Sequence, residues 1–387
     1  MKFVWVLTIV MLVTAVFGTA LAEQDEILAV MQNMSLREKV GQLFIIRPDS
    51  LDEQFTQEQI NDNSIVGTVE VTEKIREAFE KYPCGGICLF RKNILDPEQL
   101  RKYTGELHTL GTVAPFLAID EEGGIVARIG NHPYNFGVPK IEPMGEIAKT
   151  GDPSKAYEAA HTIGAYLKEY GLDVDFAPVA DVNTNPDNPV IGNRAFGDDP
   201  VVAAEMIVQF LNGLRDEGIA GCMKHFPGHG DTSTDTHTGY AETLKTWDEI
   251  KNCEMIPFMA GIASGCDMIM TAHIAAPNVT GTEEPSTLSK TILTDKLRGE
   301  LGYNGVIVTD ALEMGAIRDK YAPEEACIQC FLAGADMFLL PYEYMTTFDR
   351  VLAAVEDGRI PMERLDESVY RILAFKHSIC LKTGTLQ

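Results

Sequence analysis

Ile219-Ala220-Gly221-Cys222-Met223 is a short apolar run that passes directly into Lys224-His225-Phe226-Pro227-Gly228-His229-Gly230-Asp231. A buried strand that ends in charged, turn-forming residues is the repeating unit of the chain. Seven further runs follow the same pattern: 41–46, 86–90, 114–119, 174–179, 267–271, 305–309 and 335–340. Most are continuously apolar rather than alternating, as expected of parallel strands covered on both faces. Amphipathic segments separate them, at 71–82, 153–170, 203–218 and 365–378, and glycines stand where two of them end. Strand and helix alternating eight times predict an α/β fold, a (β/α)8 TIM-type barrel, in one domain over residues 23–387. An open doubly wound sheet is the competing arrangement. It is disfavoured because no Gly-x-Gly-x-x-Gly follows the first run. The polar stretch from Asp49 to Val69 is expected to be a surface excursion.

The chain has 387 residues, 32 basic and 57 acidic, for a net charge of -25. That surface repels nucleic-acid phosphates and anionic lipid heads, and no basic patch offsets it, so nucleic acid is excluded as a partner. Lys2, an apolar run from Phe3 to Phe17 and Ala20-Leu21-Ala22 read as an export signal over residues 1–22, cleaved after Ala22. The alternative is a retained anchor, since the segment nearly spans a bilayer. Cleavage predicts a secreted or envelope-located protein without stable membrane insertion. The eight cysteines are expected to be mostly buried thiols, because several sit in apolar strand-like runs.

In such a barrel, function belongs to the C-terminal ends of the strands. After the third run come Asp120-Glu121-Glu122-Gly123-Gly124 and then Arg128. They read either as an acidic turn or as carboxylates that hold sugar hydroxyls or a metal. After the fourth come Asp181, Asn183 and Arg194, the last able to clamp an oxygen-rich ligand. After the fifth, Lys224 and His225 precede a loop that carries His229, Asp231, Asp235 and His237. Asp235 and His237 form a carboxylate–imidazole pair suited to proton transfer, and the same loop offers ligands for zinc or iron. Asp310 follows the seventh run and is placed either as a nucleophile or as a helix N-cap. His273 ranks below these, and Trp247 reads as a packing residue.

These residues carry a family resemblance. Lys224-His225-Phe226-Pro227-Gly228-His229-Gly230-Asp231 with Asp235-Thr236-His237, Asp173 to Val179 with Asp181-Val182-Asn183, Ile191 to Gly197, and Thr309 to Met314 together resemble a glycoside hydrolase family 3 β-N-acetylglucosaminidase of the bacterial single-barrel type. The resemblance runs from about Ser35 to Lys376. It implies Asp310 as catalytic nucleophile, His237 as general acid/base paired with Asp235, and Asp120, Arg128, Arg194, Lys224 and His225 as binders of a terminal N-acetylglucosamine. It implies a retaining two-step hydrolysis with no cofactor and no metal. The partner is a carbohydrate with terminal β-linked N-acetylglucosamine, peptidoglycan fragments among the candidates. Gly228 and Gly230 are expected to hinge the catalytic loop. The chain departs from the family at Glu121, usually Gln, and Ile125, usually Arg. The alternatives are another family 3 exo-β-glycosidase, an N-acetylglucosaminide phosphorylase, an exported sugar-binding protein and a metal-dependent barrel hydrolase. Oligomeric state is not readable from the sequence.

Overall fold

Eight short parallel strands pair in chain order: β1 (Phe44–Ile46), β2 (Gly86–Cys88), β3 (Phe116–Ile119), β4 (Val174–Asp175), β5 (Ala220–Phe226), β6 (Met268–Thr271), β7 (Val306–Thr309) and β8 (Phe338–Leu339). Phe44 registers with Phe338, so β8 lies against β1. A parallel bridge from Val308 to Met337 joins β7 to β8 and closes the ring. The structure is a computed structural model that describes residues 22, 24–233 and 241–383. The signal segment, apart from Ala22, lies outside the described residues, as do Asp235 and His237. Among the described residues, no helix is long and apolar enough to cross a membrane.

Every predicted run meets a barrel strand, shorter than the run except at β5, which continues past Met223 to Phe226. The 174–179 run yields only two ladder residues because Pro178 has no N–H to donate. Further along, Val179 still bridges Lys224. The connecting helices pack outside. α1 (Ser154–Glu169) and α2 (Pro200–Asp216) show why they form. Asp199 caps α2 by accepting the N–H groups of Val201 and Val202, and Pro200 occupies the first helical position. Ala203, Met206, Ile207, Phe210, Leu211 and Leu214 recur at helical spacing and are buried against the barrel. Gly213 brings α2 onto α1, since a Cβ there would stand 2.6 Å from the Tyr157 carbonyl oxygen. The C-terminal helix runs from Met362 to Thr383, longer than its predicted stretch.

The Asp49–Val69 segment has the exposed outer side its polarity suggested, at Glu53, Gln54, Glu58 and Ser64 among others, but it is anchored by buried polar groups. Asp49 is fully buried and accepts from Thr68 N–H at 2.9 Å and Asn93 Nδ2 at 2.9 Å. Lys92 Nζ lies 3.5 Å from Asp49 and donates to the carbonyls of Gln59 and Ile60. Buried pairing folds the segment back over the barrel mouth. Cys84, Cys88, Cys222, Cys266, Cys327 and Cys330 are buried free thiols, and Cys253 is half-buried.

At the opposite end of the barrel, Asp336 precedes β8 and is fully buried. It accepts from Ile307 N–H at 2.9 Å, Ser368 Oγ at 2.6 Å, Arg371 at 3.3 Å and the Arg298 guanidinium. One carboxylate therefore ties β7, β8 and the C-terminal helix together. Asp336→Ala strands several guanidinium groups and should cost about 3–5 kcal/mol of stability. An unfolding free energy from denaturant titration lowered by that amount, with turnover per folded molecule unchanged, is the expected result.

Candidate active site

Six of the eight predicted site residues line one cavity of about 360 Å3 at the C-terminal ends of the strands: Asp120, Arg128, Arg194, Lys224, His225 and Asp310. The other two, Asp235 and His237, lie outside the described residues. A larger cavity of about 460 Å3 opens beside Met34 and Thr112, away from all of these groups.

Lys224 organises the floor. Its Nζ lies 2.9 Å from Asp120 Oδ1 and 2.6 Å from Glu122 Oε1, and its side chain is almost wholly buried. Arg128 Nη2 donates to the other oxygen of Asp120 at 2.9 Å. Arg194 grips Glu122 through Nε at 2.8 Å and Nη2 at 2.7 Å, a bidentate pair. Burial opposes charge on all five groups, yet mutual attraction prevails. Lys224 is held above the usual lysine range and Asp120 well below the usual carboxylate range. Burial pushes Glu122 up, but Lys224 and Arg194 bring it down to about 2.

Glu121 lies between two site carboxylates in sequence and faces away from them. One oxygen accepts the N–H groups of Arg128 and Ile129 at 2.7 and 2.9 Å. The other accepts from Gly130 N–H and the Tyr166 hydroxyl at 2.7 and 2.9 Å. Its partners are all donors, so a carboxylate suits the position, and the clamp sets the turn that delivers Arg128. Consecutive residues of an extended segment point to opposite sides. That is why Asp120 and Glu122 reach the cavity while Glu121 braces it from behind.

A carboxylate–imidazole pair stands on the adjoining wall. His225 Nδ1 is 2.7 Å from Asp181 Oδ2, and Asp181 Oδ1 accepts from His229 N–H at 2.6 Å. Burial raises the Asp181 carboxyl, but the two imidazoles outweigh it and the net shift is downward. The contact orients His225 Nε2 as the ring atom available to the cavity. His229 is itself lowered, first by burial and against the pull of Asp181. Its Nδ1 contacts Thr232 Oγ1 at 2.8 Å.

Asp310 follows β7. Its N–H donates to Thr271 O at 3.1 Å and its Oδ1 accepts from Ala311 N–H at 2.7 Å. His273 is fully buried, with Nε2 3.0 Å from the Ala311 carbonyl and Nδ1 2.9 Å from Thr287 Oγ1. It braces the turn behind Asp310 rather than facing the cavity. Gly228 and Gly230 are close-packing positions, and the loop they are expected to hinge runs into residues 234–240, outside the described residues. A Cβ on Gly228 would meet Glu254 Cγ at 2.5 Å, and one on Gly230 would meet Val182 O at 2.0 Å. Asp231 pairs with Lys245 at 3.2 Å. Among the described residues, no group of three or more His, Cys, Asp or Glu is arranged to hold a metal ion.

Residues 35–375 match the glycosyl hydrolase family 3 N-terminal domain. This chain belongs to glycosyl hydrolase family 3. It is 35% identical over 338 residues to beta-hexosaminidase A of Pseudoalteromonas piscicida, covering 81% of this chain and 56% of that protein. It is 32% identical over 296 residues to the beta-hexosaminidase of Stenotrophomonas maltophilia strain K279a, covering 76% of this chain and 85% of that protein. The solved family 3 β-N-acetylglucosaminidase of Paenibacillus sp. str. FPU-7 superposes with a TM-score of 0.81 at 38% identity, over 92% of this chain and 64% of that one. The chain thus spans little more than half the length of the Pseudoalteromonas relative and under two thirds of the Paenibacillus one.

The family 3 barrel also places Arg47, Asn61, Asn63, Phe90, Glu122, Met270, Glu313 and Met314 on the cavity wall. Glu122 stood within the quoted carboxylate run but was not separated from its neighbours. Arg47 was missed, although it comes just after an apolar run, the position that singled out Asp120 and Asp310, and Phe90, the last residue of its run, read only as part of a strand. Asn61 and Asn63 left no readable signal, because the buried pairing that carries them inward is spread over distant positions.

The Glu122 pairing makes a pH prediction. Its folded pKa lies below its ordinary value of 4.5, so its stabilising contribution is complete above about pH 4.5 and is lost as pH falls toward about 2. Melting temperature should therefore fall across that window. Glu122→Gln should lower the melting temperature at neutral pH and flatten the acid limb. An acid limb unchanged in the variant would contradict this assignment.

Proposed function

We propose that the chain is a retaining, exo-acting β-N-acetylhexosaminidase that releases terminal β-linked N-acetylglucosamine through a covalent glycosyl-enzyme intermediate. One observation carries the reading: a small cavity joins Asp310 to a preorganised set of charged hydrogen-bonding groups in a family whose named relatives include hexosaminidases. Its volume is at the low end for small-ligand sites, roughly 300–1,000 Å3, which suits one terminal sugar better than the length of a polymer. Among the described residues the cavity charges balance. Arg47, Arg128, Arg194 and Lys224 face Asp120, Glu122, Asp310 and Glu313. A neutral site favours an uncharged sugar, and water rather than phosphate as the accepting nucleophile.

In this reading a carboxylate oxygen of Asp310 attacks the anomeric carbon as the bond to the leaving oxygen breaks. His237, oriented by Asp235, gives its proton to that oxygen. The neutral imidazole then takes a proton from water, the water oxygen attacks the anomeric carbon, and Asp310 leaves. Asp120, Arg128, Arg194, Lys224 and His225 hold the sugar hydroxyls. They are already fixed by one another, by Glu122 and by Asp181, so little reorganisation accompanies binding. Residues 1–22 act as an export signal ahead of the 23–387 barrel, and the substrate is met outside the cytoplasm, peptidoglycan fragments being one such source.

The direct test is nitrophenol release from a panel of β-linked sugars. The N-acetylglucosaminide should be the preferred substrate, chelator should have no effect, and Asp310→Asn should lose nearly all turnover while melting normally. Preference for glucoside or xyloside would overturn the substrate assignment. A sugar phosphate product in phosphate buffer would overturn hydrolysis. His237→Ala should lose roughly 10²- to 10⁴-fold on poor leaving groups and much less on nitrophenyl glycosides. Equal losses on both would refute the acid role.

A further inference from the structure

Arg47 is the cavity residue whose position calls for a ligand and whose role the hydrolytic mechanism leaves open. It sits just past β1, is 4% exposed and lines the cavity. Its guanidinium lies flat over the Phe90 ring, 3.6 Å from the centroid, and Arg128 approaches the same ring at 5.5 Å. Nη2 donates to Glu313 Oε1 at 2.6 Å and Nη1 to the Asn63 side-chain oxygen at 3.2 Å, while Nε has no partner. A guanidinium carries five N–H donors in a fixed fork, and leaving such donors buried and unmatched costs stability. The buried Asp49–Lys92 pair folds the 56–68 segment over the mouth and so holds Asn63 in place, while Glu313 follows Asp310 by three residues. This is a held donor beside a held acceptor on the wall between the nucleophile strand β7 and the hydroxyl-binding strand β3.

Resting on the hydrolase reading above, we propose that Arg47, with Glu313, is a specificity-determining residue. It recognises an exocyclic group of the terminal sugar that both accepts and donates a hydrogen bond. A ring whose anomeric carbon meets Asp310 and whose far end meets Asp120 and Lys224 turns one edge toward β1. With the C3 and C4 hydroxyls at the far end given to Asp120 and Lys224, two groups of a hexosamine with the required chemistry remain, the C6 hydroxyl and the C2 acetamido. Phe90 fixes the guanidinium plane, and Asn63 with Glu313 fixes its rotation, so the pair discriminates without rearranging.

The experiment compares kcat/KM of wild type, Arg47→Met and Glu313→Gln on nitrophenyl β-N-acetylglucosaminide, its 6-deoxy analogue and the β-glucoside. Selectivity ratios are independent of the active fraction, so partial misfolding of a variant does not blur them. Arg47→Met should lose about ten- to a hundredfold on the parent substrate. It should lose much less on whichever analogue lacks the recognised group, and Glu313→Gln should erode the same ratio. Collapse of the parent-to-6-deoxy ratio assigns the C6 hydroxyl, and collapse of the parent-to-glucoside ratio assigns the acetamido group. Equal losses on all three substrates, or ratios unchanged in both variants, would overturn the proposal. A wild-type enzyme inactive on the parent substrate would instead overturn the function on which it rests.

Discussion

The buried ammonium of Lys224 is the point on which the site turns. It is placed at the end of β5 against two carboxylates from the segment after β3, and each carboxylate is backed by its own guanidinium. Removing any one charge leaves the others uncompensated in a place water barely reaches, which costs far more than the pair itself contributes. The cluster is therefore a poor device for stability alone and a good one for rigidity. Its groups stay ionised, stay oriented, and present fixed donors and acceptors to the cavity.

The barrel makes that arrangement possible. Parallel strands in sequential order bring the ends of β3, β5 and β7 to one mouth, although Asp120, Lys224 and Asp310 are far apart in the chain. Behind the visible site stands a second set of polar residues that never touch the cavity's centre. Glu121 clamps the turn bearing Arg128, Asp181 orients His225, and His273 braces the carbonyl next to Asp310. Each is buried, and each spends its hydrogen-bonding capacity on backbone or on a single side chain. They convert a flexible mouth into one defined geometry.

Much of this was legible from sequence because strand ends in a barrel are functional by position. Asp120, Lys224, His225 and Asp310 all directly follow or end apolar runs, and Arg128 and Arg194 lie in the loops just beyond. What escaped notice depends on contacts between distant segments. The Asp49–Val69 stretch reads as surface because it is polar, but part of its polarity serves a buried Asp49–Lys92–Asn93 network. Glu121 and Glu122 are indistinguishable as letters, and only the alternation of an extended backbone separates the brace from the site. At Gly228 and Gly230 the glycines have a packing reason that spacing alone does not show, the close approach of Glu254 and Val182, which excludes a Cβ.

The central claim is that Asp310 forms a covalent bond to the anomeric carbon. Trapping tests it most directly. The protein is incubated with a fluorinated N-acetylglucosaminyl donor whose glycosyl-enzyme turns over slowly, and intact mass and peptide mapping follow. The account predicts one added glycosyl mass, located on the peptide at Asp310 and absent from the Asp310→Asn variant. A hydrolysed donor with no adduct and an inverted sugar product, or an adduct at another residue, would contradict it.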